Sequence, residues 1–205
     1  MSKQTVLITS LNIFAHFGIK GVSMSQIADS IRISKRTLYS YFGSKDELVC
    51  ACMDYENENV SDILDEVEKQ SKNPMELIVS LTIKINQHRS SYCPAFYKDI
   101  QHFYNANIKL NAVYERVRNR IADYFKDGVE KGLFLPECNY DFITHVFMEQ
   151  MVIQNKSRIS LLHRKTVFFT FLRGLCTGKG ISVLEELIPA EDEVYACDYD
   201  YEYDF

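Results

Sequence analysis

Three features of this 205-residue sequence predict an all-α protein: few chain breakers, apolar residues spaced for helices, and helix caps that recur over the first fifty residues. Only 8 Gly and 4 Pro are present, too few to punctuate a many-stranded sheet. With 46% hydrophobic and 25% charged residues the composition is globular, and the length suits one ordinary domain or two small ones sharing a core.

Taken in order, residues 3–18 place Leu7, Leu11, Phe14 and Gly18 on one stripe, widened by Val6, Ile8, Ala15 and Phe17. That spacing predicts an amphipathic helix, which Gly18 and Gly21 end. Ser23 followed by Gln26 is a capping-box pattern and opens a short helix over 24–31 with Met24, Ile27, Ala28 and Ile31 on its apolar face. Ser34 caps a third helix, about 35–41, and Ser44 with Glu47 forms a second capping box. Two short helices joined by about three residues bury little alone and must lean on the first helix, which is the minimum body of a helix-turn-helix module. Longer helices are expected at 45–71, 75–90, 94–105, 108–131, 140–156 and 161–187. Asn73 caps the one that Pro74 begins, and Gly132 and Pro136 separate two of the others.

The stretch 19–48, IKGVSMSQIADSIRISKRTLYSYFGSKDEL, together with Phe14, Ala15, Phe17 and Gly18, resembles the DNA-binding domain of the TetR/AcrR family. The matching residues are Ser23, Ile27–Ala28, Ser34, Thr37–Leu38–Tyr39, Tyr41–Phe42 and Ser44–Lys45–Asp46–Glu47–Leu48, in one fixed register over about 45 residues. The resemblance implies DNA contact by Lys35, Arg36, Thr37, Tyr39, Ser40, Tyr41 and Lys45. The third helix would enter the major groove by its N-terminal end, anchored from below by Leu38 and Phe42. Arg36 has the donors for guanine, and Thr37 suits thymine or phosphate. Tyr39 and Tyr41 offer phenols near the backbone, and Lys45 stands at the positive end of the next helix. Ser23 and Ser25 are candidates for phosphate through hydroxyl and backbone N–H. The chain departs from the family at Arg32 in the tight turn and Arg36 on the third helix, both common glycine positions. With only Ser2 and Lys3 before the first helix, minor-groove contacts from an arm are not expected.

Charge follows the same division. The chain carries a net −5, but residues 1–50 carry +3 and the remainder −8, so only the head approaches phosphate favourably. In the body, 140–156 holds Phe142, Ile143, Val146, Phe147, Met148, Met151, Val152 and Ile153, and 161–187 holds Leu161, Leu162, Val167, Phe168, Phe169, Phe171, Leu172 and Leu175. Helices apolar around most of their circumference need cover on two sides, which a second copy supplies. The resemblance likewise implies a homodimer built by the last two long helices, on a roughly palindromic operator of double-stranded DNA. It also implies a small-molecule effector site in the aromatic middle of the chain. His88, Phe96, His102, Phe103, Tyr104 and Tyr114 are the candidates, set against the plain alternative that these aromatics are core.

Other chemistry finds no pattern. Cys50 and Cys52 point to nearly opposite sides of a helix, and His88, Cys93 and His102 form no short-spaced ligand set, so no metal is expected. No phosphate loop, nucleophile elbow or zinc-protease motif is present, so neither enzyme activity nor a cofactor is expected. Scattered cysteines and no window of ~20 apolar residues suggest a reducing cytoplasm and no membrane association. The sequence thus divides into a DNA-binding head (1–48), a helical ligand-binding and dimerisation body (49–188) and a tail (189–205). From Glu185 onward there are nine acidic residues and no basic one, interleaved with Tyr195, Tyr199, Tyr201, Tyr203 and Phe205. The expected function is a repressor released from its operator by a ligand; a ligand-independent structural or cell-division factor on the same scaffold is the alternative.

Overall fold

The computed structural model describes residues 1–156 and 161–188, with side chains except over 150–164. The acidic tail, and the side chains of Met151, Val152, Ile153, Leu161 and Leu162 invoked for dimerisation, lie outside the described residues. Every named element among them is helical, and the helices pack as two units. The first comprises Met1–Gln70 and Ser80–Arg120, the second Ser71–Val79 and the chain from Ile121 onward.

In the first unit, α1 (Lys3–Phe17), α2 (Met24–Ile31) and α3 (Lys35–Tyr41) precede the longer α4 (Lys45–Gln70). Each of the three short helices begins on a serine in extended conformation whose hydroxyl accepts a backbone N–H: Ser2 from Thr5, Ser23 from Gln26 and Ser34 from Thr37. Ser23 and Gln26 complete a capping box. At Ser44 the box is shifted, because Glu47 reaches back to the N–H of Gly43 (2.9 Å) while Ser44 accepts from Glu47 (3.1 Å). Val6, Leu11, Phe14, Ile27, Ile31, Leu38, Phe42, Leu48 and Val49 close a shared core. The turn between α2 and α3 places Arg32 at φ 60°, ψ 43°, the left-handed conformation that glycine adopts at least cost.

Further along, α5 (Pro74–Ser90) starts from Asn73, whose side chain accepts the Glu76 N–H. The helix expected over 94–105 ends early: α6 is Pro94–Asp99, followed by one 3-10 turn at Ile100–His102. α7 then runs Tyr104–Glu130, starting earlier than 108. Ile100 before the tight turn and Ala106 after it both enter the core.

The second unit contains α8 (Tyr140–Lys156), α9 (Leu161–Arg173) and α10 (Gly178–Leu187). The single helix expected over 161–187 is therefore two. Between them residues 175–177 pair with 133–135: Leu135 N–H donates to Leu175 O (2.9 Å) and Thr177 N–H to Leu133 O (3.0 Å). Backbone groups satisfied across this short ladder cannot also continue a helix. Thr177 then caps α10, and Gly180 lies so close that a Cβ there would sit 1.9 Å from Leu133 O. Phe125, Phe134 and Tyr140 pack ring to ring beneath, and Phe147 stacks on Phe171.

Two glycine-related substitutions should move stability in opposite directions. Arg32→Gly removes a left-handed arginine and should raise the unfolding free energy by about 1 kcal/mol. Gly180→Ala should cost about 1–3 kcal/mol through overpacking. Thermal denaturation of both variants checks the signs; a destabilised Arg32→Gly would mean that the arginine side chain stabilises the turn.

Candidate nucleic-acid interface and effector cluster

α3 is a seven-residue helix with one anchored side. Leu38 is fully buried and Phe42 nearly so, which turns Lys35, Arg36, Tyr39 and Ser40 outward. Thr37 and Tyr41 are half-buried. Hydrogen bonds then divide the expected contact residues. The Ser40 hydroxyl donates to Thr37 O (2.7 Å), and the Tyr41 phenol donates to Met1 O (3.0 Å). Ser23 donates to Gln26 Oε1 while accepting its N–H, and Thr37 shares a hydrogen bond with Ser34. A phosphate oxygen can only accept. Protons already given to partners within the protein leave the Ser23, Ser40 and Tyr41 hydroxyls poor phosphate ligands. Lys35, Arg36 and Tyr39 make no side-chain hydrogen bond or ion pair among the described residues, so their donors face solvent uncommitted.

Lys45, at the first turn of α4, is placed differently. Its ammonium lies 6.0 Å from the ring centres of both Phe14 and Phe103. Burial lowers its pKa, and the carboxylates of Asp99 and Asp46 work against that. Ser25 is half-buried on α2.

The effector candidates separate as well. Phe96 is buried, while His88 and Tyr114 reach into a cluster of buried polar groups. Phe103 packs beside Lys45, whereas His102 and Tyr104 are exposed and join no cluster, with Tyr104 at 78% exposure. Glu56, absent from the sequence-based candidates, is the centre of one half. It accepts from His88 Nε2 (2.7 Å), from Asn59 (2.9 Å) and from the Tyr92 phenol. Burial opposes ionisation of Glu56, but these hydrogen bonds prevail and hold its carboxyl below the ordinary 4.5. Arg89 centres the other half, only 8% exposed. Its guanidinium lies 5.1 Å from the Tyr97 ring centre and 4.7 Å from that of Tyr114, and it donates to both phenols. Burial raises the pKa of Tyr92, Tyr97 and Tyr114, so all three phenols stay neutral. A sequence signal for the two missed residues exists. Glu56 follows Cys52 and precedes Val60 by four on the buried stripe of α4, and Arg89 follows Ile85 by four on that of α5.

Comparison with known proteins gives the same outline. Residues 7–52 match the family model described as bacterial regulatory proteins, tetR family. A relative from Bacillus subtilis, an uncharacterized HTH-type transcriptional regulator called YhgD, is 26% identical over 160 residues, covering 72% of this chain and 78% of its own. Among solved structures, the ketosteroid transcriptional regulator KstR2 of Mycobacterium tuberculosis superposes with a TM-score of 0.64 at 18% identity, over 85% of this chain and 95% of that one. A transcriptional regulator from Saccharomonospora viridis in complex with choline gives 0.71 at 16% identity, over 85% and 97%. At such identities the superpositions establish the fold.

The Glu56 site makes a pH-dependent contribution. Its pKa is lower in the folded chain than in the unfolded one, so the stabilisation is complete above about pH 4.5 and is lost as pH falls below that value. Wild type should therefore denature at a higher temperature than Glu56→Gln at pH 7, with the gap closing towards pH 3. Melting curves that stay parallel across that range would contradict the assignment.

Proposed function

We propose that this chain, a tetR-family transcriptional regulator by its N-terminal domain, is a homodimeric repressor that holds a palindromic operator through α3 and leaves it when a small-molecule effector binds. One observation carries the DNA reading: α3 presents Lys35, Arg36 and Tyr39 with uncommitted donors on a helix whose opposite side is locked by Leu38 and Phe42. Arg36 serves base readout, where a bidentate guanidinium on guanine is worth about 1–3 kcal/mol of discrimination. Lys35, Tyr39 and the half-buried Lys45 hold phosphate. Ser23, Thr37, Ser40 and Tyr41 contribute shape more than hydroxyl protons, and Ser25, in the first turn of α2, adds its hydroxyl and backbone N–H.

Dimerisation in this reading uses α8 and α9. Phe142 and Val167 are 63% and 51% exposed on these helices, apolar surface that a second copy would cover. Two heads related by a two-fold axis read inverted half-sites. The effector reading rests on the buried polar cluster of Glu56, His88, Arg89, Tyr92, Tyr97 and Tyr114, and on a fold relative that holds choline. An effector releases DNA only by as much as it prefers the released conformation.

The test is selection of bound genomic fragments followed by titration. Wild type should enrich inverted repeats near promoters, and its affinity should fall steeply with salt. Lys35→Ala/Arg36→Ala should lose sequence preference through Arg36 and reduce the slope of log K against log salt by roughly 0.9, for the one phosphate contact of Lys35 removed. Sequence preference that survives the double substitution would place readout elsewhere than α3.

A further inference from the structure

Within the polar cluster, donors and acceptors are not in balance. The carboxylate of Glu56 receives three donors, from His88, Asn59 and Tyr92, and has little capacity left. Arg89 brings five N–H groups, and its partners among the described residues are two phenols and the faces of their rings. Among the described residues no carboxylate lies within ion-pair distance of it.

A buried lysine in that position could shed its charge by losing a proton. An arginine cannot. Burying a cation against neutral partners is costly, and here no carboxylate pairs with it directly: the field of Glu56 reaches as far as Tyr97, but its oxygens are taken by other donors. The geometry also suits an anion from outside. The guanidinium lies against the rings of both Tyr97 and Tyr114 and donates to their phenols, so its freedom is restricted before a ligand arrives. The cluster is not sealed, since His88, Tyr92 and Tyr114 keep partial exposure.

We infer that the effector carries an anionic group, a carboxylate, which docks on Arg89 between Tyr97 and Tyr114. The inference rests on reading this cluster as the effector site and adds the ligand's charge and its anchor. Glu56 limits the class further. A second acidic group on the ligand near His88 would meet its negative charge, so the rest of the molecule should be apolar or a donor there. The guanidinium–carboxylate pair would be charge-assisted and bidentate, stronger than the phenol contacts it displaces.

The test uses the full chain and three matched probe sets: benzoate, benzamide and benzylammonium; octanoate, octanamide and octylammonium; phenylacetate, phenylacetamide and phenethylammonium. Melting temperature and release of a selected DNA fragment are both measured at millimolar probe and constant ionic strength. At least one carboxylate should stabilise the wild type and release its DNA, where the paired amide and ammonium do neither. In Arg89→Gln the carboxylate's dissociation constant should rise at least tenfold. Arg89→Lys, which keeps the charge but not the fork, should fall between. An unchanged circular dichroism spectrum and a single cooperative melt without probe certify that both variants are folded. No shift with any carboxylate, or equal shifts with amide or ammonium that survive Arg89→Gln, overturns the anionic class. Amide or ammonium probes that release DNA would leave ligand-controlled release standing. Carboxylates that stabilise the chain through Arg89 yet never release DNA would keep the anion site and remove ligand release.

Discussion

At Gly18 the backbone leaves α1 with φ 75°, in a space where a Cβ would approach the Ala95 side chain to 2.9 Å. On either side, Cys93 donates its N–H to Ala15 O and Lys20 donates its N–H to Asp99 Oδ2, each at 2.7 Å. The short α6 is thereby fixed to the C-terminal end of α1 by hydrogen bonds at both of its ends. Close backbone approach makes this joint intolerant of a side chain at position 18, and it is where the head meets the rest of its unit. Immediately before and within α6, Tyr92, Phe96 and Tyr97 pack ring against ring, with centres 4.7–6.1 Å apart. Tyr92 touches Glu56 and Tyr97 touches Arg89. Both tyrosines are thus joined by packing to α6, and α6 by its two hydrogen bonds to Ala15 and Lys20.

α4 supplies a second connection. Ser44 caps its N-terminus beside Lys45, and Glu56 sits eleven residues on, about 16 Å along a continuous helix. The Lys45 ammonium is shared among Phe14 of α1, Phe103 beyond α6 and the field of Asp99. One lysine at the N-terminal end of α4 thus responds to the same aspartate that ties down Lys20. A route between the two proposed sites needs no long chain of intermediates, because α4 carries Lys45 at one and Glu56 at the other.

The head was legible because its determinants are local. A serine three residues before an N–H it can accept, or a Leu38–Phe42 spacing on one helical side, is decided within a single turn. What failed was decided by distant residues. The run 161–187 keeps a helical apolar pattern, yet 175–177 are claimed by the backbone of 133–135, some forty residues earlier. His102 and Tyr104 carry the chemistry of a binding site but fall at a 3-10 turn and a helix start that face solvent. Residue type alone could not separate them from His88 and Tyr114. Glu56 and Arg89 were readable in principle, since each interrupts a buried stripe with a charge. Their partners, 32 residues apart for Glu56–His88 and 25 for Arg89–Tyr114, were not.

Those two charges also explain why the cluster is built in halves. A direct Glu56–Arg89 pair would neutralise both groups and leave a closed, satisfied core with no reason to admit a ligand. Instead histidine, asparagine and tyrosine satisfy the glutamate, and phenols that burial keeps uncharged hold the arginine. A fully bonded carboxylate rigidifies the wall it belongs to. The arginine is orientated but its charge is not cancelled. Stability is given up at that one side chain, and the same side chain is the one most able to recover it from a bound anion. The left-handed Arg32 is the parallel case in the head: a costly arginine at a position where glycine would fold more easily, held by a domain whose core is otherwise closed.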